Sequence, residues 1–255
     1  MRIVQIVFSP TGGTQKVTDI ITAEWEKPVT KIDLSNATSD YTAINLEKDD
    51  LAVIAVPSFG GRVPALAAQR LGEIHGNQAL CVLVCVYGNR AYEDTLIELN
   101  DVAIQSGFNV IAGIAAVAEH SIMHQYATGR PDEQDKRELR DFAQKILTKA
   151  NGDASNLSTP QIPGNHPYKK AGGGGLVPKA DDTCTSCGLC AENCPAQAIS
   201  KENPKKTDSK KCISCMRCVS QCPQSARKVN GVMVAAAALA IKKACSVRKN
   251  TELYI

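Results

Sequence analysis

Eight of the eleven cysteines in this chain fall into two copies of one spacing. The first copy is Cys184-x2-Cys187-x2-Cys190-x3-Cys194-Pro195, and the second, Cys212-x2-Cys215-x2-Cys218-x3-Cys222-Pro223, follows 28 residues later at every cysteine. Cysteine thiolates in such runs are ligands of iron-sulfur clusters. The C-terminal third is therefore predicted to carry electrons on two 4Fe-4S clusters, and its halves must pack together because each is too short to bury a core alone.

The spacing also predicts which cysteines share a cluster. In two-cluster ferredoxins the first three cysteines of a run hold one cluster and the fourth reaches the other. We therefore expect two crossed ligand sets, Cys184, Cys187, Cys190 and Cys222 for one cluster, and Cys212, Cys215, Cys218 and Cys194 for the other. Zinc is the alternative metal, but structural zinc sites often use histidine, and residues 179–255 contain none.

Length and composition favour a globular protein of two domains. The chain has 255 residues, 44% of them hydrophobic, and its N-terminus lacks the basic and long apolar stretches of a signal peptide. The longest apolar segment, 232–241, falls far short of the roughly 20 residues that span a membrane. We expect a cytoplasmic protein without a membrane partner, in which a disulfide framework is disfavoured.

The two parts of the chain carry opposite net charge. Residues 1–178 contain 16 Lys and Arg against 20 Asp and Glu, whereas residues 179–255 contain 13 against 6. A nucleic-acid partner is not expected, since Tyr254 is the only aromatic residue of the basic part. An oxidised 4Fe-4S cluster with four thiolates is a dianion by electron counting, so the lysines offset its charge, and the opposite signs favour docking of the two parts.

Residues 1–150 alternate apolar runs with helical patterns. Strands are predicted near 2–8, 29–34, 51–56, 80–87 and 109–117, and helices near 15–26, 64–72, 91–106 and 132–149. This order predicts an α/β domain with a doubly wound, parallel, five-stranded sheet that binds ligands at the carboxyl ends of its strands. Residues 151–178, rich in Gly, Pro, Ser and Asn, are predicted to be a linker, and 179–255 a two-cluster domain with a C-terminal helix.

The first strand runs directly into Ser9-Pro10-Thr11-Gly12-Gly13-Thr14, which precedes a predicted helix. Gly12 and Gly13 would let backbone N–H groups approach an anion, and the helix N-terminus adds partial positive charge. The hydroxyls of Ser9, Thr11 and Thr14 add donors, so the loop predicts a phosphate site. It lacks the lysine of a P-loop and the G-x-G-x-x-G of a dinucleotide site, which disfavours ATP and NAD.

The same loop resembles the FMN-phosphate loop of flavodoxins at Ser9, Thr11, Gly12 and Thr14. Two later strand ends resemble the loops that enclose the flavin ring in that family. Their residues are Ser58, Phe59, Gly60, Gly61 and Arg62 after the third strand, and Tyr87, Gly88, Asn89, Arg90 and Tyr92 after the fourth. The resemblance implies bound FMN with Phe59 and Tyr92 as flat walls, Tyr87 being the alternate, and the other interpretation is two ordinary βα turns.

Over nearly its full length the chain resembles the flavodoxin-ferredoxin fusion proteins of anaerobic bacteria and archaea, known as EFR-type 4Fe-4S proteins. It departs from flavodoxins at Arg62 and Arg90, where that family is acidic, and nearby cations would stabilise a reduced, anionic flavin. Glu119, His120, Ser121 and His124 follow the fifth strand, and so either rim the flavin pocket, with a histidine delivering protons, or form a surface loop.

These features predict an electron-transfer flavoprotein, in which FMN and two 4Fe-4S clusters exchange electrons as a low-potential carrier for redox partner proteins. Two alternatives stay open. The chain could be a flavin-dependent reductase that reduces a small molecule with electrons supplied through its clusters, or its first domain could be an empty docking domain. The glycine run 172–175 is interpreted as linker, although four glycines could also cradle an anion.

Overall fold

The computed structural model describes residues 1–152, 157–172 and 175–255. Five parallel strands form most of the first sheet: β1 (Ile3–Val7), β2 (Val29–Asp33), β3 (Leu51–Pro57), β4 (Leu80–Tyr87) and β5 (Asn109–Val117). Four helices lie between and after them: α1 (Gly13–Ala23), α2 (Ala65–Gly72), α3 (Thr95–Gln105) and α4 (Glu133–Ala150). The alternation predicted from the sequence is thus confirmed, with element ends that shift by a few residues.

The strand order in this sheet is β2-β1-β3-β4-β5, followed by a short sixth strand, β8 (Glu252–Tyr254). The order 2-1-3-4-5 is that of the flavodoxin-like fold. Strand β8 runs antiparallel to β5, with Gly113 opposite Tyr254. The prediction of five strands is therefore corrected to six, because a three-residue strand at the chain's end has no periodicity that the sequence could signal.

The central strands are buried on both faces, which explains their continuous apolar runs. In β3, Ile54 faces the cluster that α2 and α3 cover, while its neighbour Val53 faces the cluster under α1 and α4. Leu71 and Leu99 contribute to the first layer from the helices. This two-sided burial fixes the strand ends and hence the loops that follow them.

The internal repeat of the sequence is also a repeat of structure. Helices α5 (Leu189–Glu192) and α6 (Arg217–Ser220) lie 28 residues apart, and β6 (Lys179–Ala180) pairs antiparallel with β7 (Arg227–Lys228). The N–H of Ala198 donates to Cys194 Sγ at 3.3 Å, and the equivalent Ala226 N–H donates to Cys222 Sγ at 3.3 Å. Equivalent backbone positions therefore surround the two cysteine runs.

Helix α7 (Gly231–Cys245) follows the repeat, and the chain then returns to the first sheet through β8. Asn230 caps the helix by accepting a hydrogen bond from Met233 N–H at 3.1 Å. Arg248 pairs with Asp132 at 2.6 Å, at the N-terminus of α4. The predicted boundary of the second domain, 179–255, stays a prediction, but the last strand of that segment belongs to the first sheet.

In the described part of the chain, no helix combines the length and apolarity that crossing a bilayer would need.

The described part of the predicted linker is packed against α3. Asp94, 2% exposed, accepts hydrogen bonds from the N–H groups of Asn165 at 2.9 Å and Lys169 at 2.7 Å. Ile162 packs on the apolar layer of α2 and α3. These contacts hold the second half of the linker on the first domain. Residues 153–156 and two members of the glycine run, 173 and 174, lie outside the described residues.

We expect Asp94→Ala to lower the free energy of unfolding by about 3 kcal/mol, since buried linker donors lose a charged acceptor worth about 1.5–3 kcal/mol per bond. These hydrogen bonds, first that of Lys169 N–H, lower the pKa of Asp94 from its ordinary 3.8. A depressed folded-state pKa gives stability that is present above 3.8 and lost as the pH falls below it. Urea unfolding of the loaded protein at pH 7 and at lower pH measures both effects. Asp141→Ala, on the exposed face of α4, is the control, and an equal loss there would contradict the linker role.

Candidate cofactor sites

A cavity with a volume of about 530 Å³, which we call the main cavity, lies at the carboxyl ends of β1, β3, β4 and β5. This volume is within the range of about 300–1,000 Å³ typical of cofactor sites. Ten of the residues predicted from the sequence line it: Ser9, Thr11, Gly13, Thr14, Ser58, Phe59, Gly60, Tyr87, Gly88 and Arg90. The three predicted loops therefore meet at one cavity.

The first loop forms the N-terminus of α1. Gly12 adopts the left-handed conformation, with φ +89°, and no side chain caps the helix at this position. The Ser9 hydroxyl accepts a hydrogen bond from Gln15 N–H at 2.9 Å, which leaves its own proton to donate elsewhere. Thr14 is buried beside it and lines the cavity. The loop thus offers helix N–H groups and hydroxyl donors to an anion.

Two aromatic side chains line the cavity from the later loops. Phe59 follows β3, and Tyr87 ends β4 with its ring 5.3 Å from that of Tyr92. Burial raises the pKa of the Tyr87 hydroxyl, so it stays protonated at neutral pH. Next to Phe59, the Ser58 hydroxyl lies 2.7 Å from that of Thr95. The cavity therefore has flat apolar surface on two of its loops.

Five predicted residues lie outside the cavity lining, namely Gly12, Gly61, Arg62, Asn89 and Tyr92. Arg62 forms a two-point ion pair with Glu98 at 2.6 and 2.7 Å and donates to the carbonyl of Lys169 at 2.6 Å. Gly61, with φ +85°, has no room for a side chain against Glu93. Arg62 thus lies outside the lining, with its charge used to hold α3 and the linker, and its place at the flavin stays a prediction.

Asn89 and Tyr92 contact the C-terminal tail instead of the cavity. The Asn89 amide donates to the carbonyls of Cys245 at 3.0 Å and Val247 at 2.9 Å. The Tyr92 hydroxyl donates to Glu252 at 2.6 Å. Tyr87, the alternate predicted from the sequence, therefore lines the cavity and is the candidate wall of the flavin site in place of Tyr92.

Helix α7 covers the cavity with side chains that sequence reasoning did not assign to it. Met233, Ala237, Ala240 and Ile241 line it from successive turns, spaced as one helical face. Their i, i+4, i+7, i+8 spacing is the one sequence signal that could have predicted this face. Residues 232–241 are apolar on every side of the helix, however, so the sequence pattern does not show which side faces the cavity.

The segment after β5 rims the cavity as one of the two sequence interpretations expected, with Glu119, His120 and Ser121 in the lining and His124 outside it. His120 Nδ1 accepts from the N–H groups of Ile122 and Met123, each at 3.2 Å, so the proton of the neutral ring is assigned to Nε2. Burial, then the charges of His124 and Arg90, lower the pKa of His120 below 6.5. The ring is therefore neutral at pH 7.

Two smaller cavities in the C-terminal part are each lined by four cysteines. We call them cage one, with Cys184, Cys187, Cys190 and Cys222, and cage two, with Cys194, Cys212, Cys215 and Cys218. Each set contains three cysteines of one run and the fourth of the other, which is the donor set of a 4Fe-4S cluster. Cys187 is exposed. Over the described ranges, no three His, Cys, Asp or Glu side chains lie close enough to hold a single metal ion.

Two thiols of cage two, those of Cys215 and Cys218, are held in their neutral form by the protein. Burial raises the pKa of Cys215 to about 11 and that of Cys218 to about 12, and the charge of Cys194 adds to both. In cage one, burial also acts to raise the pKa of Cys222, but backbone N–H groups, first that of Ala226, outweigh it and lower the value. Binding of a predicted cluster in cage two would therefore displace protons from Cys215 and Cys218.

The main cavity and cage two share a wall. Ile213 and Cys215 line both, and Ser214 between them lines the main cavity with a buried hydroxyl that has no hydrogen-bond partner in the described residues. Arg70 fixes this arrangement, since its guanidinium donates to the carbonyls of Leu34 and Pro195, each at 2.7 Å. A cysteine of cage two therefore borders the cavity of the first domain.

Comparison with known proteins gives one family match and several similar solved structures. Residues 183–227 match the family model of the 4Fe-4S dicluster domain. Similar solved structures include a flavodoxin of Streptococcus pneumoniae TIGR4, at 19% identity, TM-score 0.42, and coverage of 58% of this chain and 99% of that one. An archaeal flavodoxin has 13% identity, TM-score 0.44, and coverage of 60% and 100%. The apo NADH:FMN oxidoreductase EmoB has 15% identity, TM-score 0.45, and coverage of 62% and 94%.

No curated protein matches the chain. The strand order and the dicluster match together confirm the predicted architecture, a flavodoxin-like α/β part followed by a 4Fe-4S part, as in a flavodoxin-ferredoxin fusion. This combination supports a redox role in electron transfer.

Proposed function

We propose that the protein is an electron carrier that passes electrons between FMN and two 4Fe-4S clusters, as a low-potential carrier for redox partner proteins. The observation that carries the proposal is the wall of Ile213 and Cys215, which lines both the main cavity and cage two. When bound, a flavin exchanges one or two electrons and a cluster one, so the pair can join two-electron donors to one-electron carriers. A proposed cluster ligand thus borders the proposed flavin site.

FMN is supported by the chemistry of the loops around the main cavity. The N-terminus of α1, with no side-chain cap from Gly12, and the hydroxyls of Ser9 and Thr14 suit a phosphate group. Phe59 and Tyr87 supply flat surface for an aromatic ring. Gly88 is packed against His120, where a Cβ would meet the ring at 2.6 Å, so this loop approaches the cavity without a side chain at that position.

The side chains around the cavity favour a carrier above an enzyme. Helix α7 and the Ile213 wall line one side of the cavity with apolar side chains, and Arg62 is paired with Glu98 outside its lining. A flavin-dependent reductase is the second candidate, favoured by His120 and Arg90 in the lining. The neutral His120 ring could donate a hydrogen bond from Nε2–H that orients a substrate for reduction, whereas a pure carrier has no need of it.

Cofactor analysis after anaerobic purification tests the proposal. We expect about eight iron atoms, about eight acid-labile sulfides and about one FMN per chain. Zinc with scarcely any sulfide would reject the clusters. An FMN content near zero, even after incubation with FMN, would reject the flavin site and favour the docking-domain interpretation. Turnover of a small molecule by the reduced protein, lost in His120→Ala, would favour the reductase.

Thr14→Ala tests the phosphate end of the cavity. We expect the Kd for FMN to rise about tenfold to hundredfold, because one hydrogen bond to a charged phosphate is lost. Riboflavin, which lacks the phosphate, is the control ligand, and its affinity should stay unchanged. Fluorescence titration of the flavin-free protein with both ligands measures the difference. An equal loss for both would mean that Thr14 acts through the shape of the loop.

A further inference from the structure

Arg227 is the largest fully buried side chain among the residues that the structure describes, and it is 2% exposed. Its guanidinium donates to Thr207 Oγ1 at 2.7 Å, to the carbonyl of Pro178 at 3.3 Å, and to the carbonyl of Pro204. All three acceptors are neutral. The side chain also lines cage one, beside Cys184, Cys187, Cys190 and Cys222.

The charge of Arg227 has no counter-ion among the described residues, where it forms no ion pair within 4.0 Å. Its Nε is also buried without a hydrogen-bond partner. A buried cation without an opposite charge is strongly unfavourable, and guanidinium groups stay charged in proteins. Burial of this residue therefore requires a negative charge that protein side chains do not supply.

The internal repeat shows that packing alone does not require arginine here. The position 28 residues earlier is Ile199, a buried side chain that lines cage two as Arg227 lines cage one. The N–H···S hydrogen bonds of Ala198 and Ala226 confirm that the two positions are equivalent in structure. An aliphatic side chain therefore fits this place in the repeat.

Arg217 gives a second comparison, because it also lines cage two. Its Nη2 lies 3.7 Å from Asp33, so this arginine has a carboxylate partner of its own. Arg227, in contrast, has neutral acceptors only, and of the two cages it lines cage one. Its charge also reaches Cys212 and Cys218 of cage two without lining that cage.

We propose that Arg227 is the internal counter-charge of the cluster bound in cage one and that it raises the reduction potential of this cluster. The proposal rests on the proposed function, because the negative charge is that of the thiolate-bound cluster. Reduction adds one electron, supplied by reduced flavin or a reduced partner protein, and no bond forms or breaks. Each added negative charge next to the fixed guanidinium is stabilised, so cage one is reduced more readily than it would be beside an aliphatic residue.

Anaerobic redox titration followed by EPR tests this proposal on the loaded protein. The charge-removing variant is Arg227→Ile, which copies the residue of the other half of the repeat. At a fixed potential we expect the ratio of reduced to oxidised cluster in cage one to fall about tenfold, equivalent to about 59 mV for a one-electron couple. The cluster of cage two should shift less. Arg227→Lys keeps the charge and should keep most of the potential.

Lys228→Gln is the matched control, since Lys228 is the next residue, exposed and paired with Asp181 at 2.6 Å. Removal of this solvated charge should leave the reduction potentials of both clusters unchanged.

An unchanged reduction potential of the cage-one cluster in Arg227→Ile, or an equal shift in Arg227→Lys, would overturn the proposal. If Arg227→Ile cannot hold the cage-one cluster, retention of it by Arg227→Lys supports the counter-charge, and its loss from both variants overturns it. Absence of clusters from the wild-type protein would instead reject the proposed function.

Discussion

Replacing Cys194 with alanine is expected to remove the cluster of cage two, although Cys194 belongs to the first cysteine run. Its side chain lines the same cavity as Cys212, Cys215 and Cys218. Its charge also raises the pKa of Cys215 and Cys218, which requires that the thiols lie close together. A cubane cluster needs four thiolates, so loss of one should cost about half of the total iron and sulfide.

The crossed assignment is tested best by comparing variants in pairs. Cys215→Ala removes a cage-two ligand and Cys187→Ala a cage-one ligand, and each defines the EPR spectrum of the cluster that remains. Cys194→Ala should give the spectrum of Cys215→Ala, and Cys222→Ala should give that of Cys187→Ala. The opposite pairing would show that each run holds its own cluster. Cys245→Ala, outside both cages, is the control and should retain all of the iron.

The sequence predicted those parts of the protein that are encoded locally. Continuous apolar runs such as 51–56 and 80–87 predict strands that are buried on both faces of a sheet. The structure confirms this prediction with β3 and β4. The cysteine spacing predicted two sets of four, and each set lines one cavity, while their role as ligands stays a prediction. The three loops at the strand ends also met as expected, because the carboxyl ends of parallel strands lie at one edge.

Tertiary contacts decided what the sequence could not. Asn89 and Tyr92 stand in a loop with the residue types of a flavin site, but the C-terminal tail, about 160 residues later, binds their polar groups. Arg62 is likewise used by Glu98 and the linker. A local pattern cannot tell whether a polar side chain faces a ligand or a distant part of its own chain. For the same reason, the sequence did not predict that Ser214 lines the main cavity, because the neighbours of Ser214 depend on how the two parts of the chain dock.

Helix α7 is the largest part of the site that the sequence left unassigned, and its lining face sets part of the shape of the main cavity. Met233, Ala237 and Ile241 line the cavity, with Met233 48% exposed, while Val232 and Leu239, outside the lining, are 80% and 72% exposed. Small alanines at the lining positions keep the cavity open beneath the helix. The volume available to a cofactor therefore depends on the absence of large side chains there.

Ala237→Trp is expected to raise the Kd for FMN about 100-fold or more, because the indole would occupy cavity volume and overpacking costs about 1–3 kcal/mol in addition. Ala236→Trp is the matched control, since Ala236 is the preceding residue of the same helix, exposed and outside the lining. It should leave FMN affinity unchanged. The iron content and EPR spectra of both variants should match the wild type, because neither position lies in a cage. Wild-type FMN affinity in Ala237→Trp would show that the flavin binds elsewhere, and equal losses in both variants would show that the helix, and not the cavity, had been disturbed.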